Sequence, residues 1–172
     1  QRQGRHADGP VAGALLYHDS VEVDEQRYPI LISERSLIAD SGGAGKQRGG
    51  QATRVVLEPR FGPVTFTYAM EAQQNPPKGV RGGASGARSR AWIENVESGA
   101  EVEVPAVASL ELQVGERIVS VAAGGGGYGD PFARDVEAVM NDVVEGRITE
   151  GAALELYGVA VANAELDAEA TA

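Results

Sequence analysis

Residues 115–135 read GERIVSVAAGGGGYGDPFARD, a β-strand pattern that passes directly into a run of glycines. Five glycines lie within residues 124–129, five within residues 42–50 and four within residues 79–86, out of 23 in the whole sequence. Glycine costs conformational entropy wherever its backbone freedom is not used. The clustering therefore predicts three special loops, one in each glycine run.

Short β-strand patterns surround the glycine runs. Segments 27–38, 51–59, 62–70, 91–96, 101–104, 108–114 and 116–123 are rich in Val, Ile, Thr and Tyr, and Gly or Pro separates them. The sequence predicts an α+β protein that is mainly β, with a mixed or antiparallel sheet.

Two short C-terminal helices are predicted at about residues 136–145 and 150–157. Apolar residues recur with helical spacing from Val136 onward, and we expect both helices to pack on the sheet. Residues 158–161 are candidates for a returning edge strand. The boundary signals are Asp135 and Thr149 as N-caps, Gly146 and Gly158 as stops, and Ile148 with Ala153 as a hydrophobic staple.

The chain length of 172 residues suits one domain. Residues 1–10 lack apolar periodicity and are predicted to be a mobile N-terminal segment, with residues 11–172 as a single β-rich domain. No apolar run approaches the ~18 residues of a membrane helix. The chain has no cysteine, which permits a reducing compartment, and we predict a cytoplasmic location without membrane contact.

The net charge of -10 is unevenly distributed. Residues 1–90 hold 12 Lys/Arg against 9 Asp/Glu, whereas residues 91–172 hold 3 against 16. Nucleic-acid binding depends on neutralising phosphates with basic side chains. The acidic second half therefore argues against nucleic acid as a partner.

The first glycine run has features of an anion-binding or substrate-proximal loop. Consecutive glycines can turn backbone N–H groups into one concavity, and neighbouring cations would favour a phosphate or carboxylate. It is not a P-loop, because Asp40 stands where that motif requires glycine. A tight structural loop is the alternative and the favoured interpretation. The candidate residues are Asp40, Ser41, Gly42, Gly43, Lys46 and Arg48, with Arg81 from the second run.

The third glycine run matches the dinucleotide-binding pattern G-x-G-x-x-G but lacks its context. Pro131 delays the following helix, and no strand is predicted where the acidic ribose-binding residue should lie. Close packing of bare backbone is the better interpretation. The candidate structural or interface loop comprises Gly124, Gly125, Gly126, Gly127, Tyr128, Gly129 and Asp130.

The sequence shows no catalytic or metal-binding cluster. His6 and His18 are the only histidines, and without cysteine a Cys–His nucleophile is impossible. A metal site needs three or four convergent ligands. We assign no catalytic residue and no metal ligand.

In order, the segments 20–29 (SVEVDEQRYP), 40–50 (DSGGAGKQRGG), 77–86 (PKGVRGGASG) and 115–135 resemble the C-terminal part of the hydantoinase B/oxoprolinase family. Residues 136–161 and 166–171 fit the same pattern. The chain departs from the family at Gln47, where an aromatic is common, at Lys78, where tryptophan often appears, and across residues 17–21. These departures concern the substrate rather than the family.

The resemblance implies a subunit of an ATP-dependent enzyme that opens cyclic amides such as hydantoins or 5-oxoproline. It implies a hetero-oligomer with a hydantoinase A-type ATP-binding subunit and with the N-terminal part of a B-type subunit. ATP and a divalent metal are then expected in the partner chains, with no cofactor bound by this chain. The isolated chain is then expected to lack amidase and ATPase activity.

Relatives that carboxylate acetone or acetophenone make a ketone carboxylase subunit the first alternative. A purely structural interaction module is the second, and a free anion-binding protein is the third.

Overall fold

The computed structural model describes residues 20–162, 165–166 and 171. Residues 1–10, predicted to be mobile, lie outside the described part of the chain. The helices are α1 (Val21–Arg27), α2 (Val136–Val144) and α3 (Glu150–Tyr157), with a 3-10 turn at Pro131–Ala133. The strands are β1 (Ile30–Ile38), β2 (Ala52–Pro59), β3 (Val64–Ala69), β4 (Arg90–Asn95), β5 (Glu101–Glu103), β6 (Val107–Leu112), β7 (Glu116–Val121), β8 (Val161–Ala162) and β9 (Glu165–Leu166).

The main sheet has five strands in the order β1-β2-β7-β4-β5. All of its pairings are antiparallel, and β7 lies between β2 and β4. Strands β3 and β6 form a separate antiparallel pair, as do β8 and β9. The predicted α+β, mainly β class is confirmed, and each predicted strand segment contains a strand.

The antiparallel order of the main sheet decides where the glycine loops lie. In an antiparallel sheet of this order, four strand termini lie at the same end of the sheet: the end of β1, the start of β2, the end of β7 and the start of β4. The first glycine run joins β1 to β2, the second leads toward β4 and the third follows β7. Three runs that are distant in sequence therefore emerge side by side.

Both C-terminal helices begin and end where the sequence predicts. The side chains of Asp135 and Thr149 accept hydrogen bonds from the N–H groups of Glu137 and Ala152. Gly146 follows α2 with φ +66°, and Gly158 ends α3 with φ +70°. These positive φ values are the left-handed conformation in which glycine ends a helix without steric cost.

The helices pack differently from the prediction. Ile148 and Ala153 share one buried cluster with Ala44 of the first glycine run and with Tyr157, rather than packing on the main sheet. The glycine loops protrude from this end of the sheet, and the helices pack against the loops there. Val139 is fully buried in this cluster, whereas Val136 and Val144 remain exposed.

Helix α1 has no counterpart in the sequence prediction. Its alternating Val21 and Val23 resemble a strand pattern, and its seven residues are too few to display a helical period. Ser20 caps it by accepting a hydrogen bond from the N–H of Val23. The Glu25 carboxylate accepts a hydrogen bond from the Ile32 N–H at 2.8 Å, beside the irregularity in the β1–β2 pairing.

One face of the main sheet carries paired charges. The Arg117 guanidinium donates two hydrogen bonds to the Glu94 carboxylate, at 2.7 and 3.1 Å, across the β4–β7 pair. Arg54 donates to Glu34 at 3.0 Å, and both Arg54 and Arg90 lie 5.5 Å from the Trp92 ring centre. These contacts cover the buried Val56 and Val119 with long polar side chains.

The Glu94–Arg117 pair predicts a measurable acid sensitivity. Its hydrogen bonds from Arg117 lower the pKa of Glu94 below the ordinary 4.5. A lowered folded pKa stabilises the protein above the unfolded pKa, and the stabilisation is lost as pH falls through the folded pKa. We expect Glu94→Gln to flatten the fall of unfolding free energy below pH 4.5, measured by urea denaturation at several pH values. The same change at Glu97, an exposed residue just after β4, serves as the matched control.

No helix within the described residues is long and apolar enough to cross a membrane.

Candidate functional site

The three glycine loops bond to one another through their backbones. We define the first loop as residues 40–50, the second as residues 77–86 and the third as residues 124–130, and together they form the glycine core. Gly43 N–H donates to the Gly125 carbonyl at 2.8 Å, and Gly125 N–H donates to Gly50 at 2.9 Å. Gly127 N–H donates to Ala84 at 2.9 Å, so the third loop is bonded to both others.

The glycine core has no room for side chains at its contacts. A Cβ atom added to Gly45 would lie 2.6 Å from the Tyr128 amide nitrogen, and one added to Gly125 would lie 2.8 Å from the Gly50 nitrogen. At Gly124 and Gly127 the added atom would overlap backbone carbonyl oxygens even more closely. Backbone cannot move aside as a flexible side chain can, so glycine is required at these contacts.

Asp40 and Ser41 of the first loop have structural contacts. The Asp40 carboxylate accepts a hydrogen bond from Thr149 N–H at 2.8 Å, and its own N–H donates to the Arg147 carbonyl. The buried Ser41 hydroxyl donates to the Ile38 carbonyl at 2.6 Å and accepts from Ala52 N–H at 2.7 Å. Asp40 thus ties the loop to the α2–α3 connection, and Ser41 joins β1 to β2.

Asp142 lies at the centre of a buried arginine cluster. Its side chain is 1% exposed and accepts hydrogen bonds from Arg134 at 2.7 Å, Arg48 at 3.2 Å and Arg147 at 3.2 Å. Arg147 also pairs with the half-exposed Glu145. The cluster joins the first loop, the 3-10 turn and α2, because each of them contributes one or more of these charged residues.

Arg48 of the predicted anion loop is directed inward. Besides Asp142, it donates to the carbonyl of Gly49 at 2.8 Å, and only 12% of its side chain is exposed. Arg134 donates to the Lys46 carbonyl at 3.0 Å, which anchors the loop from the other side. Lys46 itself is exposed.

Tyr157 closes the same region. Burial raises the pKa of its hydroxyl, and the nearby Arg134 and Arg48 partly oppose that rise. The side chain is 4% exposed and belongs to the cluster that includes Ala44. The tyrosine therefore stays neutral at physiological pH and serves as a packing residue against the first loop.

Arg81 occupies a strained turn in the second loop. Gly83 N–H donates to the Val80 carbonyl, and φ is +53° at Arg81 and +93° at Gly82. Positive φ at both central residues is the pattern of a type I′ turn, in which Asn-Gly or Gly-Gly is favoured. The Arg81 guanidinium lies 5.6 Å from the ring centre of Tyr128.

The third loop holds Tyr128 between the other two loops. Tyr128 and Gln47 exchange two backbone hydrogen bonds of 2.9 Å, and Val80 bridges it from the other side. Its side chain is nevertheless 45% exposed. Gly129 takes φ +76°, and Asp130 accepts a hydrogen bond from Phe132 N–H at 3.0 Å, which starts the 3-10 turn.

Among the described residues, no group of three or more Asp, Glu, His or Cys side chains is placed to hold a metal ion. His6 and His18 lie outside the described part of the chain.

The Asp142 cluster was not predicted from the sequence. Asp142 follows Val139 by three residues on the buried face of α2, with Arg134 and Arg147 on either side in the sequence. An acidic residue on an otherwise apolar helix face is the signal that could have identified it, because a buried carboxylate needs cationic partners.

The architecture defines a class: a β domain whose glycine loops form a backbone-only core closed by two helices. Sequence comparison then assigns the family, because residues 2–131 match the Hydantoinase B/oxoprolinase family and the chain belongs to it.

The caprolactamase subunit beta of Pseudomonas jessenii is 40% identical over 98% of this chain and 30% of its own length. The acetone carboxylase alpha subunit of Xanthobacter autotrophicus is 28% identical over 82% of this chain and 22% of its own length. The crystal structure of the ATP-dependent caprolactamase from Pseudomonas jessenii superimposes with a TM-score of 0.75, at 33% identity, over 88% of this chain and 27% of that one. This chain therefore spans less than a third of the length of these relatives.

Proposed function

We propose that this chain forms the C-terminal part of a B-type subunit in an ATP-dependent hydantoinase/oxoprolinase-type complex that hydrolyses cyclic amides. The observation that carries the proposal is its 40% identity, over 98% of its length, to a caprolactamase subunit. The shared fold, with a TM-score of 0.75 to the ATP-dependent caprolactamase, supports the same assignment.

In this proposal the chain supplies a rigid wall and the subunit interfaces. ATP and a divalent metal are bound by the partner chains, which are an A-type subunit and the N-terminal part of the B-type subunit, in a cytoplasmic hetero-oligomer. The backbone-only contacts of the glycine core support the rigid role, since such contacts leave few side-chain rotamers free to rearrange.

Within the predicted anion loop, the structure favours different roles for Arg48 and Lys46. Arg48 forms an ion pair with Asp142. Lys46 and Arg81 are both exposed, and neither forms an ion pair with another described residue. We therefore propose Lys46 and Arg81 as the cations available to a substrate, a phosphate or a partner chain.

The similarity to an acetone carboxylase alpha subunit supports a second candidate, a subunit of an ATP-dependent ketone carboxylase. A purely structural module is the third candidate, and the inward direction of Arg48 favours it.

A graft tests the proposed function. The 172 residues would replace the matching segment of the Pseudomonas jessenii caprolactamase beta subunit, which is then expressed with its partner subunit. We expect the graft to assemble and to retain ATP-dependent caprolactam hydrolysis, while the chain alone turns over neither ATP nor caprolactam. A folded graft that does not assemble, or turnover by the chain alone, contradicts the proposal. A parallel graft is made into the acetone carboxylase alpha subunit. Activity of this graft, with none in the caprolactamase graft, would favour the second candidate.

Single substitutions in the active graft separate a substrate-proximal loop from a structural one. We expect Lys46→Ala to lower caprolactam turnover while assembly, followed by size-exclusion chromatography, is unchanged. Arg48→Ala should instead weaken folding, because it leaves Asp142 with fewer partners. Unchanged turnover in an assembled Lys46→Ala graft would favour the structural module.

A further inference from the structure

The outer end of the glycine core carries a compact patch of exposed aromatic, aliphatic and cationic side chains. Phe132 is 67% exposed, Val80 is 56% exposed and Tyr128 is 45% exposed, although all three are large and apolar. Lys46 and Arg81 are exposed beside them. We call these five residues the end patch.

Backbone contacts place the end patch residues next to one another. Val80 exchanges backbone hydrogen bonds with the third loop on both sides of Tyr128, and Arg81 lies over the Tyr128 ring. Lys46 N–H donates a hydrogen bond to the Gly129 carbonyl. Phe132, two residues after Asp130, donates its N–H to the Asp130 carboxylate. The patch residues therefore lie on, or directly after, the loops that bond to one another in the glycine core.

The strain at Arg81 is the strongest sign of a role beyond folding. A non-glycine residue at positive φ is strained, and glycine would remove that strain. Among the described residues, no carboxylate forms an ion pair with its guanidinium, which lies 5.6 Å from the centre of the exposed Tyr128 ring. The turn thus holds a cation in the open at the expense of stability.

The composition of the end patch fits a polypeptide partner. Tyr and Arg are enriched among the residues that dominate protein–protein binding energy, and a rigid surface loses little entropy when it is covered. Asp130 is the acidic side chain nearest in sequence to the patch, and its carboxylate is engaged by Phe132 N–H. A matching partner would therefore supply a carboxylate to the cations of the patch and apolar side chains that cover Val80 and Phe132.

The relatives indicate where such a polypeptide comes from. The matching segment is only 30% of the caprolactamase beta subunit, so most of a relative's chain has no counterpart in these 172 residues. We propose that the end patch is the contact surface for the remaining part of the B-type subunit, which places a carboxylate at Arg81 and apolar side chains against Phe132 and Val80. This inference rests on the proposed function and names the surface through which these residues contact the rest of the subunit.

Cysteine footprinting tests whether the patch is covered. The chain has no cysteine, so Phe132→Cys introduces a unique reporter into it, and Phe61→Cys provides a matched control at a site that is 80% exposed. Iodoacetamide labelling of each peptide is followed by mass spectrometry in the free chain and in the assembled graft. We expect the graft to slow labelling at residue 132 by roughly tenfold or more, with residue 61 unaffected.

Arg81→Gly provides a second, independent measurement. In the free chain it should raise the melting temperature, because it relieves a positive φ. In the graft it should speed labelling at residue 132 and lower the melting temperature of the assembly. The matched control is Arg60→Ala, which removes another exposed cation stacked on an aromatic ring, 5.0 Å from the centre of Phe61, and should leave the assembly unchanged.

Each outcome of these experiments supports or overturns the proposal. An active graft in which residue 132 labels as fast as in the free chain overturns the end patch while leaving the proposed function intact. A free chain that is dimeric and already protected at residue 132 shows that a second copy covers the patch. If inorganic phosphate stabilises the free chain and this stabilisation is lost in Arg81→Gly, the patch binds a small anion instead. A free chain destabilised by Arg81→Gly shows that Arg81 serves the fold alone.

Discussion

Replacing Asp142 with asparagine is expected to lower the free energy of unfolding by about 3–5 kcal/mol, the usual cost of removing one partner from a buried ion pair. The carboxylate is 1% exposed and accepts hydrogen bonds from Arg48, Arg134 and Arg147. Arg134 is 6% exposed, so the loss of the negative charge leaves a buried guanidinium without compensation. The amide also presents N–H donors to side chains that can only donate.

Asp135→Asn on the same helix is the matched control. Asp135 caps α2 with one hydrogen bond to Glu137 N–H, and asparagine caps helices about as well as aspartate. We expect its effect to be well below 1 kcal/mol. Guanidinium unfolding followed by circular dichroism measures both variants. Equal stability of the two would show that the arginine cluster does not depend on the charge of Asp142.

Gly127→Ala is expected to destabilise the chain by about 3 kcal/mol or more, at the upper end of what overpacking a dense interior costs. The added Cβ would overlap the carbonyl group of Ala44, and the Gly43 carbonyl oxygen lies only 2.7 Å from it. Relief would require the first and third loops to separate, which would break the hydrogen bonds between them. We expect the variant to be largely unfolded or to lose the near-ultraviolet signal of packed aromatic residues.

Gly62→Ala serves as the control for the glycine substitution. Apart from the chain neighbours of Gly62, no described atom lies within 4 Å of an added Cβ at this position, and its φ is not positive. Because alanine restricts the unfolded chain more than glycine does, we expect a change between zero and a stabilisation of about 1 kcal/mol. If Gly127→Ala were as stable as Gly62→Ala, the three loops would not be in the close contact described above.

The Gly127→Ala substitution is also expected to affect function, through the end patch. Tyr128 is held in place by backbone bonds to Gln47 and by the bridge to Val80, both of which belong to the glycine core. A change that loosens the core therefore also releases the surface that we propose to contact the rest of the subunit. Assembly of the graft should fail in Gly127→Ala even where some secondary structure remains.

The sequence by itself determined the local features of this protein. Caps at Asp135 and Thr149 and stops at Gly146 and Gly158 were predictable because each depends on contacts within a few residues. The strand segments were predictable from a different local signal, the enrichment in Val, Ile, Thr and Tyr between Gly or Pro residues. Helix α1 was not, since seven residues with alternating valines do not distinguish a helix from a strand.

Only the tertiary structure decided what the glycine runs contact and where Arg48 points. Arg48 and Asp142 are 94 residues apart, and the glycine loops meet because β7 lies between β2 and β4 in the sheet. Strand order is set by the summed burial and pairing of the whole sheet, and no short segment encodes it. The sequence therefore specified three unusual loops and a set of cations, and the sheet order determined which cation is buried with Asp142 and which remain exposed at the end patch.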